Sequence, residues 1–479
     1  MTMNLAKSLE ENKSQAVETL KELIRIKSDA GDPVTTASGE IFPFGQGVQD
    51  AFAYMLAKGQ EFGFETADID HYGGHIDFGS GDKTVGVVGH LDVVPAGEGW
   101  EFPPYGGEER DGYVCGRGTT DDKGPVVAAL YAMKVLKDAG YEPERRIRLI
   151  MGLDEETSWQ GMKHYLEHVK APDYGFTPDG DFPVVNGEKG MLDFELARKL
   201  SRQPSEGLLL SRLSGGTAPN MVPESARAVV RNTDGAAYGH IKELAEEFRR
   251  ETGHHIRTKG VGKAFEITTE GRAAHGAAPQ DGLNAISIMF DFLGRLNFAA
   301  DDINEFIDFY NTCIGYNVYG ENIGCAASDR ESGRLSFNNG LVSYDGESVT
   351  VHINIRYPVT CDQEQIYDGI MPFADKYELG IVKNVNFDPI YFDAESSLIK
   401  TMVDVYREKS GDRESSLMVM GGGTYAKAFK NLVAYGGLFP GDPDIMHQQN
   451  EKIEIKRFYQ MIEIYCEAIY RLSSREFEI

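Results

Sequence analysis

Four short runs of the sequence concentrate side chains that can hold a metal ion or move a proton. The first is Gly89-His90-Leu91-Asp92-Val93-Val94-Pro95. In an extended segment His90 and Asp92 point to the same side, and a carboxylate beside a metal-binding imidazole can accept its second N–H and fix its orientation. The second run, Gly116-Arg117-Gly118-Thr119-Thr120-Asp121-Asp122-Lys123-Gly124, is a glycine-rich turn into a helix. Asp121 and Asp122 there are either helix-start caps or ligands. The third, Asp154-Glu155-Glu156, ends an apolar run, and three carboxylates packed together are costly unless cations compensate. The fourth is the acidic turn Thr177-Pro178-Asp179-Gly180-Asp181. Singly, each run reads more simply as a turn or a cap. Together they offer one histidine and several carboxylates with no cysteine, an inventory suited to Zn²⁺, Mn²⁺ or Co²⁺. Two such ions ~3.5–4 Å apart, bridged by a carboxylate, clamp and ionise a water.

The elements around these runs predict how they meet. Lys83–Gly89 is a short apolar run that reads as a buried strand, and Arg146–Leu153 is a second. Between them Gly124–Ala139 carries helical periodicity through Val127, Leu130, Met133, Val135 and Leu136. Strand–helix–strand in this order predicts an α/β sheet, whose ligands gather at the carboxyl ends of the strands. His90, Asp92 and Asp154–Glu156 lie at those ends. From about residue 187 to 389 the texture changes. Helical runs (Asp234–Thr252, Gly282–Ala299, Asp362–Tyr377) alternate with strand-like ones (Ala226–Val230, Ala264–Thr269, Ser348–Ile355), as in a separate α+β unit. Ser396–Lys409 and Glu454–Leu472 return to long amphipathic helices, and Met1–Leu23 is another. No period of 20–50 residues suggests a solenoid.

Other apparent motifs have plainer readings. Gly79–Thr84 looks faintly like a phosphate loop but precedes a strand, not a helix, and reads as a hairpin turn. His164-Tyr165-Leu166-Glu167-His168 matches the H-x-x-E-H pattern, and its histidines share a helix face. Flanked by Lys163 and Lys170, it reads more simply as a solvated face. His71 and His75 flank a glycine pair and read as a turn. With 75 Asp+Glu against 48 Lys+Arg the net charge is −27, which argues against nucleic acid or an anionic membrane as partner. No apolar stretch reaches ~18 residues, and the N-terminus lacks the apolar core of a signal peptide. Five scattered cysteines suggest reduced thiols.

The Gly89–Pro95 and Gly116–Pro125 segments and Asp154-Glu155-Glu156, in this order, resemble the di-metal metallopeptidase family of aminoacylases, carboxypeptidases of the G type and dipeptidases. The bacterial PepV-type dipeptidases are the branch that looks closest, and the length of the central insertion favours it. The resemblance covers roughly residues 10–475. It implies that His90 and Asp179 hold one ion, Glu156 and His447 the other, and that Asp121 bridges them. Glu155 becomes the general base and Asp92 orients His90. Asp179 is preferred to Asp181 because it follows Pro178 as the family ligand does. His447, within Asp444–Glu451, fits the family's C-terminal histidine motif; nothing else marks it among eleven histidines. Gly271-Arg272-Ala273-Ala274-His275-Gly276, with Pro279 and Asn284-Ala285, matches the lid motif, whose histidine reaches the substrate carbonyl. By itself His275 is a loop histidine. Asn220 and Arg356 fit substrate-contacting positions, although Arg356 alone reads as part of a surface salt bridge. In Gly421–Tyr425, the backbone N–H groups of Gly422, Gly423 and Thr424 can face a carboxylate; otherwise the segment is a flexible turn.

The resulting expectation is an α/β catalytic domain with a mixed sheet, residues 1–186 and 390–479, interrupted by an α+β lid, residues 187–389. It carries two divalent ions, zinc first and manganese or cobalt next. It hydrolyses dipeptides with a free N-terminus, using a metal-bridging water activated by Glu155. The rivals are an N-acyl amino acid deacylase or desuccinylase on the same centre, and a metal-binding protein without catalysis. Retention of Glu155 beside Glu156 speaks against the latter. Small peptides are the expected partners of a cytoplasmic monomer.

Overall fold

A computed structural model of the chain describes residues 4–201, 204–233 and 238–478. They form two compact units, one of Met1–Gly187, Tyr391–Met418 and Gly423–Ile479, the other of Glu188–Ile390 and Val419–Gly422.

The first unit is built on a mixed sheet. Its central strands run in the order Leu432–Ala434, Tyr174–Thr177, Thr84–His90, Arg146–Gly152, all parallel. Gly73–Phe78 and then Glu65–Asp68 extend it antiparallel beyond Arg146–Gly152. Fully buried parallel strands need apolar side chains on both faces, and Val85, Val87, Val88, Ile147, Leu149 and Ile150 supply them. The crossover between two of these strands is the helix Lys123–Asp138. Every residue from Lys123 to Met133 is buried, as expected of a helix apolar nearly all round. It packs under the helices Leu5–Ile24 and Ile455–Ser473. The registers His90↔Gly152 and Val87↔Phe176 bring three strand ends level. Three of the four runs, those at His90, Asp154 and Asp179, therefore leave the sheet at one edge, where α/β folds place ligands; the second follows the strand Tyr113–Cys115 of a separate three-stranded sheet.

Two sequence expectations need correction here. Gly79–Thr84 is not a hairpin turn, because the strands it joins lie on opposite sides of Arg146–Gly152 and do not pair. His75 is not in a turn: it is a buried residue of the strand Gly73–Phe78, while His71 does occupy the turn, at φ +63°.

The second unit is an eight-stranded antiparallel sheet. Its order is His255–Val261, Ala264–Glu270, Ser225–Asn232, Leu208–Gly215, Ser336–Tyr344, Ser348–Tyr357, Gly190–Lys199, Gly380–Phe387. Alternate residues such as Ala226, Ala228 and Val230 face its core. Helices Gly239–Thr252, Ala285–Leu293, Asp301–Phe309 and Gln363–Lys376 accompany the sheet. The helical run expected over Gly282–Ala299 is shorter: Asn284 caps its start by accepting the Ile286 and Ser287 N–H groups, and it ends at Leu293 before Gly294. Asp234, the expected start of another, lies outside the described residues together with 235–237. Among the described residues no helix is long and apolar enough to cross a membrane.

Candidate metal centre

His90 ends the Thr84–His90 strand and is 1% exposed. Its Nδ1 lies 2.9 Å from the Asp92 main-chain oxygen and 3.3 Å from Asp92 Oδ1. With that nitrogen donating, Nε2 keeps a lone pair that could hold a metal ion. Nε2 stands 3.0 Å from Asp121 Oδ1 and 3.9 Å from Asp179 Oδ2. The other oxygen of Asp121 is 2.8 Å from His447 Nε2, which is also 3.0 Å from Glu156 Oε1. Asp121 thus turns one oxygen to each of two imidazoles. Two sets of donor atoms lie within 4.8 Å of one another, His90–Asp121–Glu156 and His90–Glu155–Asp179. Asp181 is in neither set; burial, with Asp444 nearby, pushes its pKa up to about 6.

The second-run turn is positioned by the sheet edge. Asp122 Oδ2 accepts the His90 N–H at 3.1 Å, and Gly89 is what admits it: a Cβ there would stand 2.4 Å from that oxygen. The other Asp122 oxygen is buried with no hydrogen-bond partner. Asp92 reaches across to the third run, its Oδ1 accepting the Glu155 N–H at 3.1 Å and its Oδ2 the Glu156 N–H at 3.0 Å. Asp154, the first acid of that run, is a structural group. Its Oδ2 accepts Ser158 O–H and Gly161 N–H, and its Oδ1 accepts the Tyr425 O–H.

The electrostatics follow from crowding acids out of water. Burial, reinforced by Asp179, pushes Glu155 well above the usual carboxyl range. Burial and the neighbouring Asp121 carry Glu156 up to about 7. Burial also works against Asp121 and against protonated His90. In both it is outweighed by their mutual hydrogen bond and, respectively, by His447 and Asp92, so Asp121 is lowered and His90 raised. Hydrogen bonds to Asp121 and Glu156 push His447 up to about 11. A nest of largely buried carboxylates with buried His90 and the exposed His447, and no thiol, matches the donor chemistry of borderline divalent ions, whose charge would offset the cost of burying the acids.

Glu451 is the residue that sequence reasoning did not single out. It is fully buried and accepts hydrogen bonds from Gly118 N, Thr120 N, Thr120 Oγ1 and Asp121 N, and a charged one from Arg117 Nη1 at 2.7 Å. It therefore fixes the turn that presents Asp121. It ends the same run as His447, and no local pattern separates it from a loop glutamate. Lys123, also buried, donates to the Leu23 and Ile26 carbonyls.

The remaining predicted residues are placed as follows. In the second unit, His275 is exposed and its Nδ1 accepts the Ala277 N–H at 3.2 Å. The next residue, Gly276, donates its N–H to the Asn220 carbonyl at 2.7 Å. Gly421 of the same unit lies against Ala277, with Gly422 following. Arg356 is not a surface residue: it is 5% exposed, burial lowers its pKa to about 10, and its Nε donates to Asn354 Oδ1 at 3.2 Å. It is paired in register with Ser336, whose hydroxyl donates to the Gly276 carbonyl. His275, Asn220 and Arg356 thus occupy one neighbourhood of that unit. In the first unit, Gly423 precedes Thr424, whose side chain caps the short helical turn Tyr425–Ala428.

Comparison with known proteins shows the family and the fold. The family model for "Peptidase family M20/M25/M40" matches residues 86–471. The chain is 35% identical over 476 residues to YtjP of Bacillus subtilis, covering 98% of this chain and 100% of that one. It is 33% identical over 488 residues to the Beta-Ala-Xaa dipeptidase of Lactobacillus delbrueckii subsp. lactis, covering 99% and 100%. The crystal structure of human carnosine dipeptidase 1 shares the fold, with a TM-score of 0.58 at 17% identity over 98% of both chains.

Proposed function

The chain belongs to peptidase family M20/M25/M40 and is a metallopeptidase, and from this footing we propose that it cleaves dipeptides with a free N-terminus at a two-ion centre. The observation that carries the reading is Asp121, with one oxygen on His90 and the other on His447. In this reading His90 and Asp179 would hold one divalent ion and Glu156 and His447 the second, with Asp121 available to both. Zinc suits the ligand set first, with manganese or cobalt next. When bound, the ions supply Lewis acidity that makes water a nucleophile at neutral pH and polarises the scissile carbonyl.

The chain's own groups do the rest. Glu155 accepts the water's proton and returns it to the leaving amine, a task suited to a carboxyl raised toward neutrality. Asp92 holds the N–H groups of Glu155 and Glu156, so neighbouring acids can serve as base and ligand. His275 donates a hydrogen bond to the developing oxyanion. Asn220, Arg356 and the Gly422–Thr424 backbone take the substrate's termini, Arg356 through charge-assisted bonds to the carboxylate. The relatives named as dipeptidases support this substrate size. The same reading includes a cytoplasmic location, supported by five free cysteines of which four are buried, and a monomer, supported by the large inserted unit Glu188–Ile390. The test is a panel of dipeptides, tripeptides and N-acyl amino acids offered to the metal-reconstituted enzyme. Preference for N-acyl amino acids replaces the dipeptidase with a deacylase.

A further inference from the structure

A third group of donor atoms within 4.8 Å of one another lies apart from this centre: Asp70, His164 and His168. We propose that it is a second, peripheral metal site, taking a single zinc-class divalent ion that clamps a helix to the sheet's edge. The helix Gln160–His168 sets His164 and His168 four residues apart, one turn apart on one face. Their rings are 4.3 Å apart and inclined by 30°. The His168 Nδ1 is 2.9 Å from the His164 carbonyl. Donating there, it leaves Nε2 with its lone pair outward, the tautomer of a ligating imidazole. The His164 ring is fixed from its other side by stacking on Tyr72 at 4.3 Å, and its Nε2 lies 3.0 Å from Asp70 Oδ2.

Asp70 comes from a different element, the turn between Glu65–Asp68 and Gly73–Phe78. Two imidazoles and a carboxylate, partly open to solvent, form a three-ligand set with room for water in the remaining position. Borderline ions such as Zn²⁺, Co²⁺ or Ni²⁺ suit it. The ion needs a lone pair from each imidazole, so protons compete with it and binding weakens in acid. The consequence reaches further than the surface. This helix follows directly on the Asp154–Glu156 run, and Asp154 caps it through Ser158 and Gly161. An ion here ties that segment to the strand turn, and it adds stability only while the ion is bound.

The experiment counts metal. Wild-type enzyme, a His164→Gln/His168→Gln double variant and Asp70→Asn are equilibrated with the same free Zn²⁺ and analysed for bound metal. Asn tolerates the left-handed backbone at position 70 (φ +52°). The double variant should bind one equivalent less than wild type, whatever the main centre holds, and its zinc-dependent rise in unfolding temperature should be smaller than that of wild type. Asp70→Asn should bind that equivalent more weakly, and peptide hydrolysis should be the same in all three. Equal zinc content in wild type and double variant overturns the site. So does an Asp70→Asn variant that matches wild type, since two surface imidazoles would then account for the binding.

Discussion

Asp92 leaves the end of one parallel strand and receives, through its Oδ1, the backbone N–H of Glu155 in the turn after the neighbouring strand, 3.1 Å away. Its second oxygen holds the next N–H, that of Glu156. The aspartate therefore orients His90 on one side and the paired acids on the other. Asp92→Asn keeps the size but turns an N–H donor toward one of those N–H groups. Loss of such supporting partners costs about 10–100-fold in activity or metal affinity, and that is the expected fall in kcat/KM. Steady-state kinetics with parallel metal analysis check it.

Glu155 and Glu156 should separate by phenotype. Glu156 contacts His447, whereas Glu155 is grouped with His90 and Asp179. Glu155→Ala should keep most bound metal while turnover collapses, and Glu156→Ala should lower the metal content itself. If the two variants exchange these behaviours, base and ligand have been assigned the wrong way round.

Glu451 anchors the turn that carries Asp121 and pairs with buried Arg117. Breaking a buried ion pair from one side costs about 3–5 kcal/mol. Glu451→Gln should lose that order of stability in urea unfolding, and Arg117→Met/Glu451→Gln together should lose less than the sum.

Much of this was legible in the sequence, and the rest was hidden for identifiable reasons. Apolar runs at Lys83–Gly89 and Arg146–Leu153 announce the parallel strands because buried strands need apolar residues on both faces. The acidic runs at their ends follow from the same topology. Glu451 was invisible because its partners, Arg117 to Asp121, are far away along the chain and no local spacing encodes the contact. Gly79–Thr84 carries turn chemistry, but turn residues do not say whether the joined strands pair, and Arg146–Gly152 comes between them. Arg356 looked like a surface cation because charged residues usually are. Its burial is set by the strands Gly190–Lys199 and Ser336–Tyr344 on either side.

His75 gives the fold a pH dependence separate from catalysis. Burial, with Arg148 nearby, lowers its pKa from 6.5 to about 4, and Tyr165 O–H donates to its Nδ1 at 2.9 Å. The unfolded chain takes up this proton near pH 6.5, and the folded one only near pH 4. The contribution is therefore whole above pH 6.5 and is lost as pH falls toward 4, on the order of 3 kcal/mol in all. Urea unfolding of wild type and His75→Gln between pH 7 and 4.5 should show a gap in stability that narrows with acid.

His275 should act on the transition state more than on binding. Losing one oxyanion donor typically costs ~10²–10³ in turnover, so His275→Ala should lower kcat by that order with modest change in KM and unchanged metal content. A kcat within about threefold of wild type removes it from the mechanism.

The central claim is that two ions on Asp121 drive hydrolysis, and titrating metal back into stripped enzyme tests it most directly. Chelation and dialysis should abolish dipeptide hydrolysis, and activity should return on adding Zn²⁺, Mn²⁺ or Co²⁺, reaching its full value only when both positions around Asp121 are filled. An Asp121→Ala variant should fail to regain it at any metal concentration. Full hydrolysis by thoroughly metal-free protein would contradict the account.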